Sequence, residues 1–178
     1  VFPDLDAYDW EGSAKAQLSA GNPETQLVEY QCWNWSFLRM THIMGFENAL
    51  CAMIEDEEAC LEFFDAVADY KIRLAERIHQ YFHPDMITSF DDVATERGLF
   101  MAPDIYRRLI KPSHKKVNDA IRQMGMIPAI HCCGKCEDVI QDFIEEGNVA
   151  WSSAQPINDL AGILDKYGSQ LTVIGGYD

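Results

Sequence analysis

The residues best suited to chemistry crowd into six positions, His131-Cys132-Cys133-Gly134-Lys135-Cys136. A histidine two residues before a cysteine at the end of a strand shares a face with it, so an imidazole nitrogen and a thiolate can converge on one ion. Zinc suits that pair, because it takes nitrogen and sulfur donors in a tetrahedron and keeps one position open where it is catalytic. His131 and Cys133 are therefore the candidate metal ligands, with Cys132 or Cys136 as further thiols in reach. The same run holds a rival: Cys133 and Cys136 form a C-x-x-C just before a helix, the arrangement of a redox-active dithiol. The bland alternative is small cysteines filling a corner, with His131 bonded to a backbone carbonyl.

Asp91-Asp92 is the second candidate, as catalytic carboxylates that move a proton or orient a metal-bound histidine. The alternative for this pair is a helix cap with a solvated neighbour. Gln155, Gly175, Gly176 and Asp178 are ligand-capable residues at two further strand ends and are the candidate cofactor-binding positions. Arg97 is the better placed of three arginines, with Arg107 and Arg108, that could clamp a substrate carboxylate. His42, His79, His83 and His114 stand singly and read as surface or core-edge residues. Cys32, Cys51 and Cys60 read as core, and Tyr30, Trp33, Trp35 and Phe37 as packing or part of a pocket for a flat cofactor.

What must position these groups is legible in the periodicity. Residues 1–24 are polar and turn-rich, an irregular entry segment with one short helix near 13–20. A short strand is expected at 25–30, an apolar helix from 33 to Gly45, and helices at 47–54 and 55–82. The last has Leu61, Phe64, Ala68, Ile72, Ala75 and Ile78 at three- and four-residue steps. From Pro84 on, short apolar runs at 86–90, 126–130, 148–152 and 171–174 alternate with helical segments at 103–124, 137–146 and 157–167. That alternation predicts βαβ crossovers and a parallel sheet, whose functional residues gather at the carboxyl ends of its strands. Asp91, His131, Gln155 and Gly175 each follow or close such a run. Five strands fall short of the eight of a closed (β/α)8 barrel, so residues 25–178 read as part of one.

Composition narrows the partners. The 178 residues carry 14 Lys+Arg against 29 Asp+Glu, a net charge of −15, which argues against binding nucleic acid. With 48% apolar content the chain can bury a core. No apolar run is long enough to span a membrane. Six cysteines in a chain that needs no staples suggest reduced thiols and a cytoplasmic setting. Open sheet edges would let the chain self-associate.

The ordered set Gly45-Phe46-Glu47-Asn48-Ala49-Leu50, Asp91-Asp92, residues 97–103 (RGLFMAP), Lys111-Pro112, His131-x-Cys133-Gly134 and Gly175-Gly176-Tyr177-Asp178 resembles the uroporphyrinogen decarboxylase superfamily over about residues 25–178. That superfamily has a (β/α)8 barrel and includes both porphyrinogen decarboxylases of heme biosynthesis and cobalamin-dependent methyltransferases; the H-x-C-G element is typical of the zinc methyltransferase branch. The resemblance implies an enzyme in which His131 and Cys133 hold Zn²⁺, with a third ligand, a cysteine, beyond Asp178. It implies methyl transfer between a corrinoid (methylcobamide), carried on a separate protein, and a small thiol, with Asp91 or Asp92 orienting the site. Decarboxylation of a porphyrinogen is the alternative it offers. Where relatives follow the aspartate pair with an aromatic residue and a glycine, this sequence has Val93-Ala94.

Overall fold

The computed structural model describes every residue except Val1, Ala20, Pro23 and Asp178. Its centre is a five-stranded, all-parallel sheet, in spatial order β1 (Glu29–Cys32), β2 (Met86–Phe90), β5 (Ile127–His131), β6 (Ala150–Ala154) and β7 (Thr172–Gly175). Strands neighbouring in space follow one another along the chain, with helices between them, as in an arc of a (β/α)8 barrel. The small pair β3 (Ala94–Thr95) and β4 (Gly98–Leu99) forms an antiparallel hairpin just after β2.

Alternation divides each strand between two faces. Ile87 joins a core with Ala68, Ala75, Ile78 and Phe82 of α4 (Glu57–Phe82) and with Val117 and Ile121 of α6 (Lys111–Gln123). Ile130 and Trp151, partners in register, enter a second core with Val139, Ile140 and Phe143, the last two from α7 (Ile140–Glu145). These side chains cover the helix side of the sheet. On the opposite side the register aligns Phe90, His131, Ser152 and Ile174 in one row across four strands.

The long helix α4 starts and stops for local reasons. Asp56 caps it by accepting from the Ala59 N–H at 3.1 Å, Glu57 and Glu58 favour its dipole, and His83 closes it at φ 46° just before Pro84. Earlier come α1 (Trp10–Leu18), α2 (Ser36–Met44) and α3 (Phe46–Glu55). The entry segment is less irregular than its composition suggests, since α1 lies against α4 with Trp10 stacked on Tyr81. The helical stretch expected at 103–124 begins with α5 (Pro103–Ile105), widens into one π turn at Tyr106–Ile110 and continues as α6.

Strands β5 and β6 begin one and two residues later than the apolar runs suggest. Met126 N–H donates to the Ile121 carbonyl and Asn148 N–H to the Phe143 carbonyl, so both residues finish the preceding helix. The remaining helix is α8 (Leu160–Tyr167), and none among the described residues is long and apolar enough to cross a membrane.

Candidate metal centre at the strand ends

His131 is the last residue of β5, and the chain leaving that strand doubles back under the hairpin that follows β2. Lys135 N–H donates to the Thr95 carbonyl at 2.7 Å, and Asp92 Oδ1 accepts the Cys133 N–H at 2.7 Å. These bonds place one donor atom each from Asp92, His131 and Cys133 within 4.8 Å of one another. The His131 Nε2 and Cys133 Sγ are 3.5 Å apart. Zinc bonds of about 2.0 Å to nitrogen and about 2.3 Å to sulfur in a tetrahedron put such atoms roughly 3.5 Å apart. The His131–Cys133 spacing therefore fits a zinc ion, and Asp92 lies close enough to offer a further donor.

The surroundings favour the metal-binding form of His131 and oppose that of Cys133. Partial burial lowers the His131 pKa, against the opposing pull of Asp92 and Glu29, so the ring is neutral and free to ligate. Burial raises the Cys133 pKa, with the Ser153 hydroxyl opposing that shift. A dication would drive the thiol to a thiolate in any case. His131 stacks on Phe90 at 4.0 Å, and Phe90 on Trp33 at 4.1 Å, fixing the imidazole plane.

Several expected residues lie elsewhere. Cys132 and Cys136 lie outside that cluster: both are fully buried, their sulfurs 3.5 Å apart in the core behind the loop. Alternation turns Cys132 away from its neighbours, where its sulfur accepts the Val93 N–H. The sulfur that meets Cys136 Sγ is thus that of Cys132, and the Cys133 sulfur faces His131 and Ser153 instead. Asp91 does not face the strand-end opening as a catalytic acid. It is fully buried, accepts the N–H groups of Phe37 and Leu38 at 2.9 and 2.7 Å, and pairs with His114.

The glycines and Gln155 serve the backbone. Gly175 is required by the neighbouring strand, because a Cβ there would lie 2.5 Å from the Ala154 carbonyl oxygen. Gly176 N–H donates to that same carbonyl. Gln155 Oε1 accepts the Gly134 N–H at 2.8 Å and so braces the loop next to Cys133. Asp178 lies outside the described residues. Arg107 pairs with Asp142, and Arg108 with Asp104 and Glu57, on the outer helices. Arg97, at the hairpin turn, is 90% exposed and only loosely paired with Glu96.

His114 is the residue that sequence reading misplaced most. It is buried, with Nε2 2.8 Å from Asp91 and Nδ1 3.3 Å from Glu146, which also bonds the Tyr106 hydroxyl. One signal for it existed: His114, Val117, Asn118 and Ile121 form the i, i+3, i+4, i+7 stripe that α6 buries.

Residues 36–178 match the family model of uroporphyrinogen decarboxylase (URO-D). The chain belongs to that family. Among solved structures it is similar to a methyltransferase from Methanosarcina mazei, with a TM-score of 0.77 at 15% sequence identity over 94% of this chain. The chain spans 47% of that structure's length. No curated protein matches it. At that identity the likeness speaks to the fold, and this URO-D family chain accordingly has the helices and parallel strands of a partial barrel.

Proposed function

We propose that this URO-D family chain carries the zinc centre of a methyltransferase that moves a methyl group between a corrinoid and a small thiol. The observation that supports this most is the convergence of Asp92, His131 and Cys133 at the carboxyl ends of β2 and β5. When bound there, zinc would lower the pKa of a substrate thiol and hold it for attack on a methyl group. The chain's own residues prepare that event. His131 offers a neutral Nε2, Cys133 a thiolate and Asp92 a carboxylate, so two anionic donors balance a dication and leave an added thiolate strongly nucleophilic. Asp92 also holds the Cys133 backbone, which ties the donor from β2 to the donor from β5.

The corrinoid would arrive on a separate protein, at the strand-end opening. A net charge of −15 argues against nucleic acid as a partner, no membrane partner is proposed, and a cytoplasmic setting suits six free thiols. Among the described residues β1 and β7 each pair on one side only, and unpaired edges recruit further strands. The isolated chain should therefore sediment as dimers or larger species at micromolar concentration; a monomer at all concentrations would refute the self-association.

The zinc reading is tested by elemental analysis after exhaustive dialysis. About one Zn²⁺ per chain is expected, lost in His131→Ala and Cys133→Ala and weakened in Asp92→Ala. A chain that stays metal-free under reducing conditions with zinc supplied would overturn the proposal and favour porphyrinogen decarboxylation, the reaction for which the family is named.

A further inference from the structure

Two consecutive serines touch the two strongest metal donors, which a regular strand cannot arrange. In β6, Ser152 lies in register with His131 and Trp151 turns to the helix side. Simple alternation would send Ser153 after Trp151, away from the site. Instead the pairing of β6 with β7 shifts register between Ser152 and Ala154, and Ser153 sits there at φ 62°. The irregularity swings the Ser153 Oγ to 3.1 Å from Cys133 Sγ, while Ser152 Oγ stays 3.1 Å from His131 Nδ1. A bulge that re-aims a side chain next to a site is a recurrent device. Left-handed backbone is disfavoured for serine and free for glycine, so a serine here points to a use for its hydroxyl.

We infer that Ser152 and Ser153 are positioning residues of the metal centre, Ser152 fixing the imidazole of His131 and Ser153 the thiolate of Cys133. With Nε2 turned to the metal, Nδ1 carries the proton and donates it to the Ser152 hydroxyl oxygen, which locks tautomer and ring orientation. A thiolate only accepts, so the Ser153 hydroxyl donates to Cys133 Sγ and sets the direction from which the sulfur meets the ion. The inference rests on the metal reading of the site, and it adds that the distorted β6, besides β2 and β5, sets the geometry of the donors.

The decisive comparison is Ser153→Gly, because glycine removes the hydroxyl and relieves the backbone in one step. The full chain, wild type and Ser152→Ala, Ser153→Ala and Ser153→Gly, would be titrated with Co²⁺ against a competing chelator. The thiolate-to-cobalt absorption is recorded in each titration, and urea unfolding of the metal-free chains is measured in parallel. Ser153→Gly should bind Co²⁺ about 10–100-fold more weakly, with a shifted charge-transfer band, while its metal-free unfolding midpoint stays level or rises. Ser152→Ala should weaken binding similarly. Wild-type affinity and spectrum in Ser153→Gly would overturn the inference and leave the metal reading standing. So would a fall in the unfolding midpoint that matches the loss of affinity. A wild-type chain that takes up no cobalt would overturn both.

Discussion

Replacing His114 by alanine should cost about 3–5 kcal/mol, the range seen when one partner of a buried ion pair is removed. The imidazole lies between Asp91 and Glu146 with all three side chains almost wholly buried. Burial alone would lower its pKa, yet the charges of Glu146 and Asp91 and their hydrogen bonds more than reverse that and raise it to about 10. His114 is therefore an imidazolium at neutral pH, and without it two carboxylates would face each other in the core. Asp91 would keep the Phe37 and Leu38 amides, and Glu146 the Tyr106 hydroxyl, Asn148 and little else.

The same cation makes stability depend on pH with a fixed sign. The folded pKa stands above the unfolded value of 6.5, so the folded chain holds one more proton than the unfolded chain across the interval between them. Stability from this group is complete below about pH 6.5, falls as pH rises through the interval and is gone above about pH 10. Urea unfolding at a series of pH values should show that fall in the wild type and a flatter profile in His114→Gln. Equal slopes in the two proteins would sink the assignment.

Regular parts of this molecule are legible from spacing, and its departures from regularity are not. The run 86–90 is a strand because four of its five residues are apolar or β-branched and a turn follows, and β2 has those bounds. His131 and Cys133 could be paired from one strand end, since two residues on a shared face need no tertiary information. Asp92 as their third donor needed the hairpin at 94–99, whose two-residue strands are too short to leave a periodic trace. Its neighbour Asp91 went the other way, into the core, because the N-terminus of α2 offers it two amides and α6 a cation. Nothing in the sequence announces that Ser153 breaks alternation; the bulge answers to the close approach of β7 at Gly175, a contact between residues 21 apart.

Gly134→Ala should damage the centre more than any change that leaves all three donors in place. Gly134 has φ 90°, and a Cβ there would lie 2.6 Å from the Thr95 carbonyl oxygen and 2.9 Å from the Ala94 carbonyl carbon and oxygen. These are backbone atoms, so no rotamer change relieves the clash. Either the loop after β5 or the hairpin after β2 must move, and Cys133 hangs from the first and Asp92 from the start of the second. The left-handed conformation alone costs about 1–2 kcal/mol with a side chain. Gly125→Ala isolates that part, because Gly125 has φ 85° and no atom within 4 Å of its would-be Cβ. Both variants should lose about 1–2 kcal/mol on urea unfolding for the backbone, and Gly134→Ala more for the clash. Only Gly134→Ala should also lose metal affinity, by 100-fold or about 2.7 kcal/mol. Equal unfolding midpoints and equal cobalt affinity in the two variants would mean that the hairpin gives way freely and that the close approach of its backbone does not hold Asp92 against Cys133.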